Sequence, residues 1–284
     1  MPLLPILLLF LSALLHTTWN FLLKQAQEIS IATWWVVIIG SGIALLGLPF
    51  TGLPPPQVWP LVVLSVFAEA IYFFLLANAY RISDFSLVYP IARGAAPAFL
   101  VVWSLLFLRE HLTAGGLLGL ALIILGLIIV GAAGFMIKPV RTVDVRGIII
   151  AILIALLISL YTLTDGMAVK RVSLLPYALT VFALIPLPIT PFLLVYHGWA
   201  RLKEVWIRQG VRLVIMGLLG IAAYLIALLV YSITPLSYSG AIRELTVVLG
   251  AFAGWKFLGE KPGRLRLLGA LAIFVGIVLI AILG

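Results

Sequence analysis

Ten stretches of about twenty apolar residues follow one another along this chain, over 3–23, 31–50, 58–80, 86–108, 113–134, 147–168, 173–197, 211–232, 237–258 and 264–283. A backbone in lipid finds no water to bond with. A spanning run must therefore satisfy its own N–H and C=O groups, which a run of this length does as an α-helix. The breaks between runs carry loop signals, among them GLPPPQ at 52–57, the charged KPVRTVDVR at 138–146 and HGWARLKEVWIRQG at 197–210. The expected fold is an all-α membrane protein of ten transmembrane helices. The first run continues into HTTWNFLLK with no small-residue cleavage site, so it reads as a retained helix.

Composition removes several alternatives. Only 10% of the residues are charged and 64% are hydrophobic, with a mean hydropathy of +1.29; soluble domains carry about 25% charged residues. With no cysteine there is no disulfide framework, thiol nucleophile or thiolate metal site. The net charge of +9 does not call for nucleic acid, because Lys and Arg crowd into the short loops. The connections after the odd-numbered runs hold 12 basic residues and those after the even-numbered runs hold 3. The positive-inside rule then puts the odd connections in the cytoplasm and both termini outside, in a prokaryotic inner or plasma membrane. Trp34, Trp35, Trp59, Trp199 and Trp206 fall near helix ends, where aromatic belts sit.

The chain also repeats itself. Arg93 in SLVYPIARGAAPAFLVVWSLLFL and Arg243 in LSYSGAIRELTVVLGAFAGWKFL are 150 residues apart (243 − 93), and the text after each stays in register. Phe107 matches Phe257, Leu108 matches Leu258 and Glu110 matches Glu260. Leu117, Leu118 and Gly119 match Leu267, Leu268 and Gly269; Ile123 matches Ile273 and Gly126 matches Gly276. His16–Asn20 falls over Tyr161–Asp165 at an offset of 145, which implies five residues inserted between the two alignments, most simply in the seventh-to-eighth loop. Residues 1–140 and 141–284 thus read as two five-helix repeats of one integral membrane domain. Five is odd, so the second repeat enters the membrane from the opposite side, giving inverted topology around a central cavity.

The opening LLHTTWNFLLK, the stretch AYRISDFSLVYPIARGAAPAF and the segment FLREHLTAGGLLGLALIILGLIIV resemble the EamA family of the drug/metabolite transporter superfamily. The resemblance covers essentially the whole chain. It implies a basket of helices one to four and six to nine around the cavity, with the fifth and tenth at the edge as scaffold. Members of the family move amino acids, sugars, nucleotide sugars, phosphonates and organic cations. In the related small multidrug transporters a glutamate in the first helix couples protons, whereas this chain has His16 and Asn20 there.

An intramembrane charge costs about 2.5–3.5 kcal/mol on insertion scales, so each one is a candidate for function. Arg93 and Arg243 suit a carboxylate or phosphonate, which a guanidinium grips with two parallel bonds. Glu69 is the one acid near mid-span; it reads either as a carrier of a proton or substrate amine or as the neutralising partner of Arg93, at a depth differing by about 6 Å. Glu244 lies beside Arg243 but about 100° around the helix. Asp165, toward the outer end of the sixth helix, reads as an attractor of cations or an interface group. His16 and Asn20 share one face of the first helix and point at the cavity, since polar groups facing lipid are costly. Tyr72 shares a face with Glu69 and is the aromatic singled out for the pocket. No metal-ligand spacing is present, since His111 and His197 sit at helix ends. Gly119 and Gly126, like Gly269 and Gly276, are seven apart and make smooth stripes for close helix contact in a scaffold or a dimer. Pro90 and Pro97, and Pro186, Pro188 and Pro191, mark the fourth and seventh helices as kinked, moving elements.

The expected function is secondary transport, by alternating access, of a small polar metabolite that is amino acid-like or otherwise zwitterionic, in the direction of export. Arg93 would take the anionic group and Glu69 the amine. No phosphate-binding loop motif occurs. Organic cations, sugars or phosphonates are alternative cargoes in the same fold. An intramembrane enzyme acting on lipid-linked phosphate is the rival class; it would need a cluster of base, nucleophile or metal ligands at the membrane surface. The partners expected are the substrate, the bilayer and protons, with no cofactor, no metal and no nucleic acid, in a monomer or homodimer.

Overall fold

A computed structural model of the protein describes residues 1–82, 85–135, 145–249, 252 and 264–284. Every regular element among the described residues is helical: α1 (Leu3–Lys24), α2 (Ile29–Thr51), a short 3₁₀ turn (Pro56–Val58), α3 (Trp59–Ile82), α4 (Phe85–Trp103) with a π-helical turn (Ser104–Leu108), α5 (Ala114–Phe135), α6 (Val145–Val169), α7 (Leu174–Leu184), α8 (Pro186–Ile233), α9 (Leu236–Arg243) and α10 (Arg264–Leu283). Residues 245–249 are also helical. Five helical stretches have the length and apolar composition to cross a membrane: Leu3–Leu23, Ile29–Thr51, Pro56–Leu75, Arg146–Val169 and Leu174–Ile233. Apolar side chains cover the outside, with Leu46 75%, Phe50 89% and Val195 90% exposed. On a soluble surface this would be a liability; in a bilayer it is the lipid face. Phe257, Leu258, Glu260, Lys138, Arg141 and Lys261 lie outside the described residues, as do the side chains of Lys24, Tyr80, Arg81, Tyr89, Pro90 and Arg266.

The run from Leu174 to Ile233 has 60 residues. At 1.5 Å per residue that is about 90 Å, three times the hydrocarbon thickness, so it must turn back. It does so at Gly198, whose φ of 71° is open to glycine and strained for other residues. The stretch 199–210 corrects the sequence expectation of a loop there, because it is helical. Its charges pair along the helix, Arg201 with Glu204 at 2.5 Å and Glu204 with Arg208 at 2.6 Å, while Leu202 and Val205 turn inward and are buried. Before the turn, Pro186 supplies no N–H, so the ladder is interrupted between α7 and α8 although Ile185 keeps helical angles.

The contacts between helices fit a two-fold relation of the repeats. α1 packs along α8 and α3 along α6, an exchange that a two-fold relation of the first helix with the sixth, and the third with the eighth, requires. The tightest crossing is that of α5 with α10. A Cβ on Gly119 would lie 2.7 Å from the Gly276 carbonyl and one on Gly126 2.6 Å from the Gly269 carbonyl; the reverse contacts are 2.6 and 2.7 Å. Index rises on one helix as it falls on the other, so the two are antiparallel. The 150-residue offset carries the contact of Gly119 with Ile280 onto that of Gly269 with Val130, and the contact of Gly126 with Ile273 onto that of Gly276 with Ile123. Both glycine stripes are therefore used inside one chain.

At one end of the bundle, several loops are tied together. The π-helical turn after α4 ends at Arg109, whose φ of 52° swings the chain so that Glu110 meets the start of α9. The Glu110 carboxylate accepts from the backbone N–H groups of Leu236 and Ser237 and from the Ser237 hydroxyl. These N–H groups have no partner within their helix, and the positive end of its dipole faces the carboxylate. Lys170 donates to the Thr234 carbonyl at 2.7 Å; burial holds its ammonium below the ordinary lysine range, and the Glu110 charge opposes that. At the other end Arg212 donates to the Leu22 carbonyl at the end of α1 and to Gln25, while Arg201 pairs with Glu28.

Candidate functional site

Arg93 is eight residues into α4, and Glu244 lies eight residues beyond the first residue of α9 (93 − 85 and 244 − 236). Because Glu110 joins the far end of α4 to the start of α9, the two helices run in opposite directions. Each residue is thus about 12 Å in from an opposite face of the bundle. They meet there: Arg93 Nη1 lies 3.3 Å from Glu244 Oε1, with both side chains largely buried. The second oxygen, Glu244 Oε2, is buried and has no hydrogen-bond partner. An unmet buried acceptor costs about 1–3 kcal/mol, more when charged.

Glu244 also marks a break. Its N–H bonds to Ala241 and its carbonyl to Val247, both three residues away, so the helix tightens at the pair of charges before resuming over 245–249. Two residues on, the buried Thr246 hydroxyl is likewise without a partner. The Thr246 carbonyl accepts from Thr17 Oγ1 at 3.3 Å, which fastens this segment to α1 beside His16.

Arg243 turns to another part of the same region. Its hydrogen bond is to the Tyr231 hydroxyl at 3.4 Å, and among the described residues no carboxylate lies within ion-pair distance of it. Its charge acts on His16, Glu69, Tyr161, Tyr231 and Asp165, which come from α1, α3, α6 and α8. Arg93 acts on His16 and Tyr161 as well. His16 and Tyr161, matched at the offset of 145, therefore lie within electrostatic reach of the same two arginines. His16, Trp19, Asn20, Glu69, Tyr72, Arg93, Tyr161 and Arg243 are all partly exposed although they converge from several helices. These polar groups gather in one region of the bundle, the candidate chamber. Tyr72 and Tyr161 belong to it, with ring centroids 6.3 Å apart.

Within α1, Trp19 Nε1 donates to His16 Nδ1 at 3.3 Å, and Asn20 bonds back to the His16 carbonyl at 2.8 Å. Asp165 is the most completely enclosed of the candidates, 1% exposed. Its Oδ1 accepts from Ser65 and Tyr177 hydroxyls at 2.7 Å each, and its Oδ2 from Tyr224 at 3.0 Å. One carboxylate thus ties α3, α7 and α8 to α6. Ser65 and Tyr177 escaped the sequence reading. Ser65 is four residues before Glu69, so its face was legible; Tyr177 had no pattern to announce it. Trp34 and Trp35, read as belt residues, are drawn inward: Trp34 donates to Thr190 at 3.0 Å and Trp35 to the Leu202 carbonyl at 2.9 Å, with the Trp206 ring 4.7 Å from that of Trp35. No group of three or more metal-ligating side chains occurs among the described residues.

The sequence of the EamA-like transporter family matches the chain twice, over residues 3–132 and 145–282. The protein belongs to the EamA family. It is therefore a transporter of the drug/metabolite superfamily type and a multi-pass membrane protein. Its fold is shared with a solved crystal structure at a TM-score of 0.76 and 17% identity, over 97% of this chain and 96% of the other. No curated protein matches the sequence. In this EamA protein the two family matches correspond to the halves that cross at α5 and α10, and the cluster of largely buried charged residues draws on both.

Proposed function

We propose that this EamA protein is a secondary transporter of a small zwitterionic metabolite, amino acid-like in its charges, working by alternating access. The observation that carries the reading is the mixed charge of the chamber: two arginines from related positions of the two repeats, with Glu69, Glu244 and Asp165 around them. A cavity for a simple anion would not need the acids, and one for a simple cation would not place two guanidiniums at its centre. The ten helices form two inverted five-helix repeats that rock about the chamber and expose it to each side in turn. His16, Asn20, Glu69, Tyr72, Arg93, Asp165, Arg243 and Glu244 are the residues assigned to it. Loop charge orients both termini outward and the direction is export.

A thermal-shift screen of the purified protein tests this, with amino acids, aminophosphonates, sugars, organic cations and nucleotide sugars as the panel. A ligand at 100 times its Kd stabilises by about 2.7 kcal/mol. Stabilisation by a zwitterion, lost in Arg243→Gln, is expected. Stabilisation confined to cations or sugars and retained in that variant overturns the zwitterion reading.

A further inference from the structure

Arg93 and Arg243 are equivalent by sequence, yet the structure gives them different surroundings. Arg93 is in an ion pair with Glu244. Arg243 holds only a long hydrogen bond to Tyr231 and, among the described residues, no acid within ion-pair distance. The acid following it in sequence presents one oxygen to Arg93 and leaves the other buried and unmet. A second unmet polar atom, Thr246 Oγ1, lies two residues further along. Among the described residues four buried side-chain polar atoms lack partners, and these two share one turn of the chain at the mid-membrane break. An open cation beside a buried, unused acceptor is what a two-ended ligand completes.

We propose that Arg243 binds the anionic group of the substrate, that Glu244 Oε2 accepts a hydrogen bond from its ammonium group, and that Arg93 is a positioning residue holding Glu244 in place. This rests on the zwitterion reading above and sharpens it. Oε2 can only accept, so the substrate must bring a donor; for a zwitterion that donor is an ammonium N–H, and a quaternary ammonium carries the same charge and has none to give. The ligand class is therefore a zwitterion with a protonated primary or secondary amine, and betaines are excluded. Glu69 serves another purpose than holding the amine.

Thermal shift and equilibrium binding to the purified full-length protein test the assignment. Each proteinogenic amino acid is tried alone. The strongest binder is then compared with its N-trimethyl and des-amino analogues. Wild-type protein is expected to prefer the amino acid to either analogue by at least about tenfold, the worth of one hydrogen bond to a charged group. In Glu244→Gln, whose carbonyl still meets Arg93 while its amide puts a donor where Oε2 was, the preference should fall to near unity; in Glu69→Gln it should persist. Equal binding of the amino acid and its N-trimethyl analogue by wild type overturns the clasp and leaves the zwitterion reading standing. A preference lost in Glu69→Gln and kept in Glu244→Gln overturns it as well. If no zwitterion of this set or of the wider panel above binds wild type, both readings fall. The wild-type comparison needs no variant, so a folding defect in Glu244→Gln does not shield the proposal.

Discussion

Asp165 shows how this molecule handles a charge it cannot expose. Its three hydroxyl donors come from α3, α7 and α8. All three donate, so the arrangement suits an ionised carboxylate that locks helices together. Hydrogen bonds to a charged group contribute about 1.5–3 kcal/mol. Tyr177→Phe and Tyr224→Phe should each destabilise by about that much, read as lowered unfolding temperatures in detergent, whereas Ser232→Ala, whose hydroxyl bonds only to its own helix, should change little. The charged candidates were legible as residues because lipid makes them costly, and the faces of His16, Asn20 and Tyr72 followed from helical spacing. Which acid meets which arginine was not legible. Glu69 and Arg93 differ in depth by only about 6 Å, but depth leaves the angle around each helix free, and Arg93 pairs with Glu244.

Among the elements, α5 and α10 make the clearest case. Their glycines approach backbone carbonyls of the other helix to within what would be 2.6–2.7 Å of a Cβ, where backbone has to move to make room. Gly126→Val and Gly276→Val should therefore each cost about 1–3 kcal/mol or prevent folding, and by the two-fold relation they should cost alike. Gly42 has nothing within 4 Å of its would-be Cβ. Gly42→Ala should stabilise α2 by about 0.5–1 kcal/mol, through helix propensity. The same unfolding measurement reads both. Helix positions were legible from apolar runs, and the glycine stripes from their seven-residue spacing. The helical stretch 199–210 was missed because its charges read as loop, although Arg201, Glu204 and Arg208 are spaced to pair along a helix. The offset change from 145 to 150 had already pointed to extra chain between the seventh and eighth runs.

At the scale of the whole molecule, the repeats meet along much of their length, and three of the contacts bear on opening: the α5–α10 crossing, the chamber, and the tie from Glu110 to the start of α9. On the alternating-access account the first holds while the last releases. Glu110→Ala removes the acceptor for two backbone N–H groups and the Ser237 hydroxyl, and should free that face to open. Natural absence of cysteine makes the motion measurable, since one introduced thiol is the only one present. The most direct test is therefore His16→Cys, labelled by a membrane-impermeant maleimide from each face of oriented vesicles, with Glu110 intact and with Glu110→Ala. The account predicts labelling from both faces and a reciprocal change in the variant, faster from the Glu110 face and slower from the other. Labelling from one face alone, or rates that rise together on both faces as in an open channel, would contradict it.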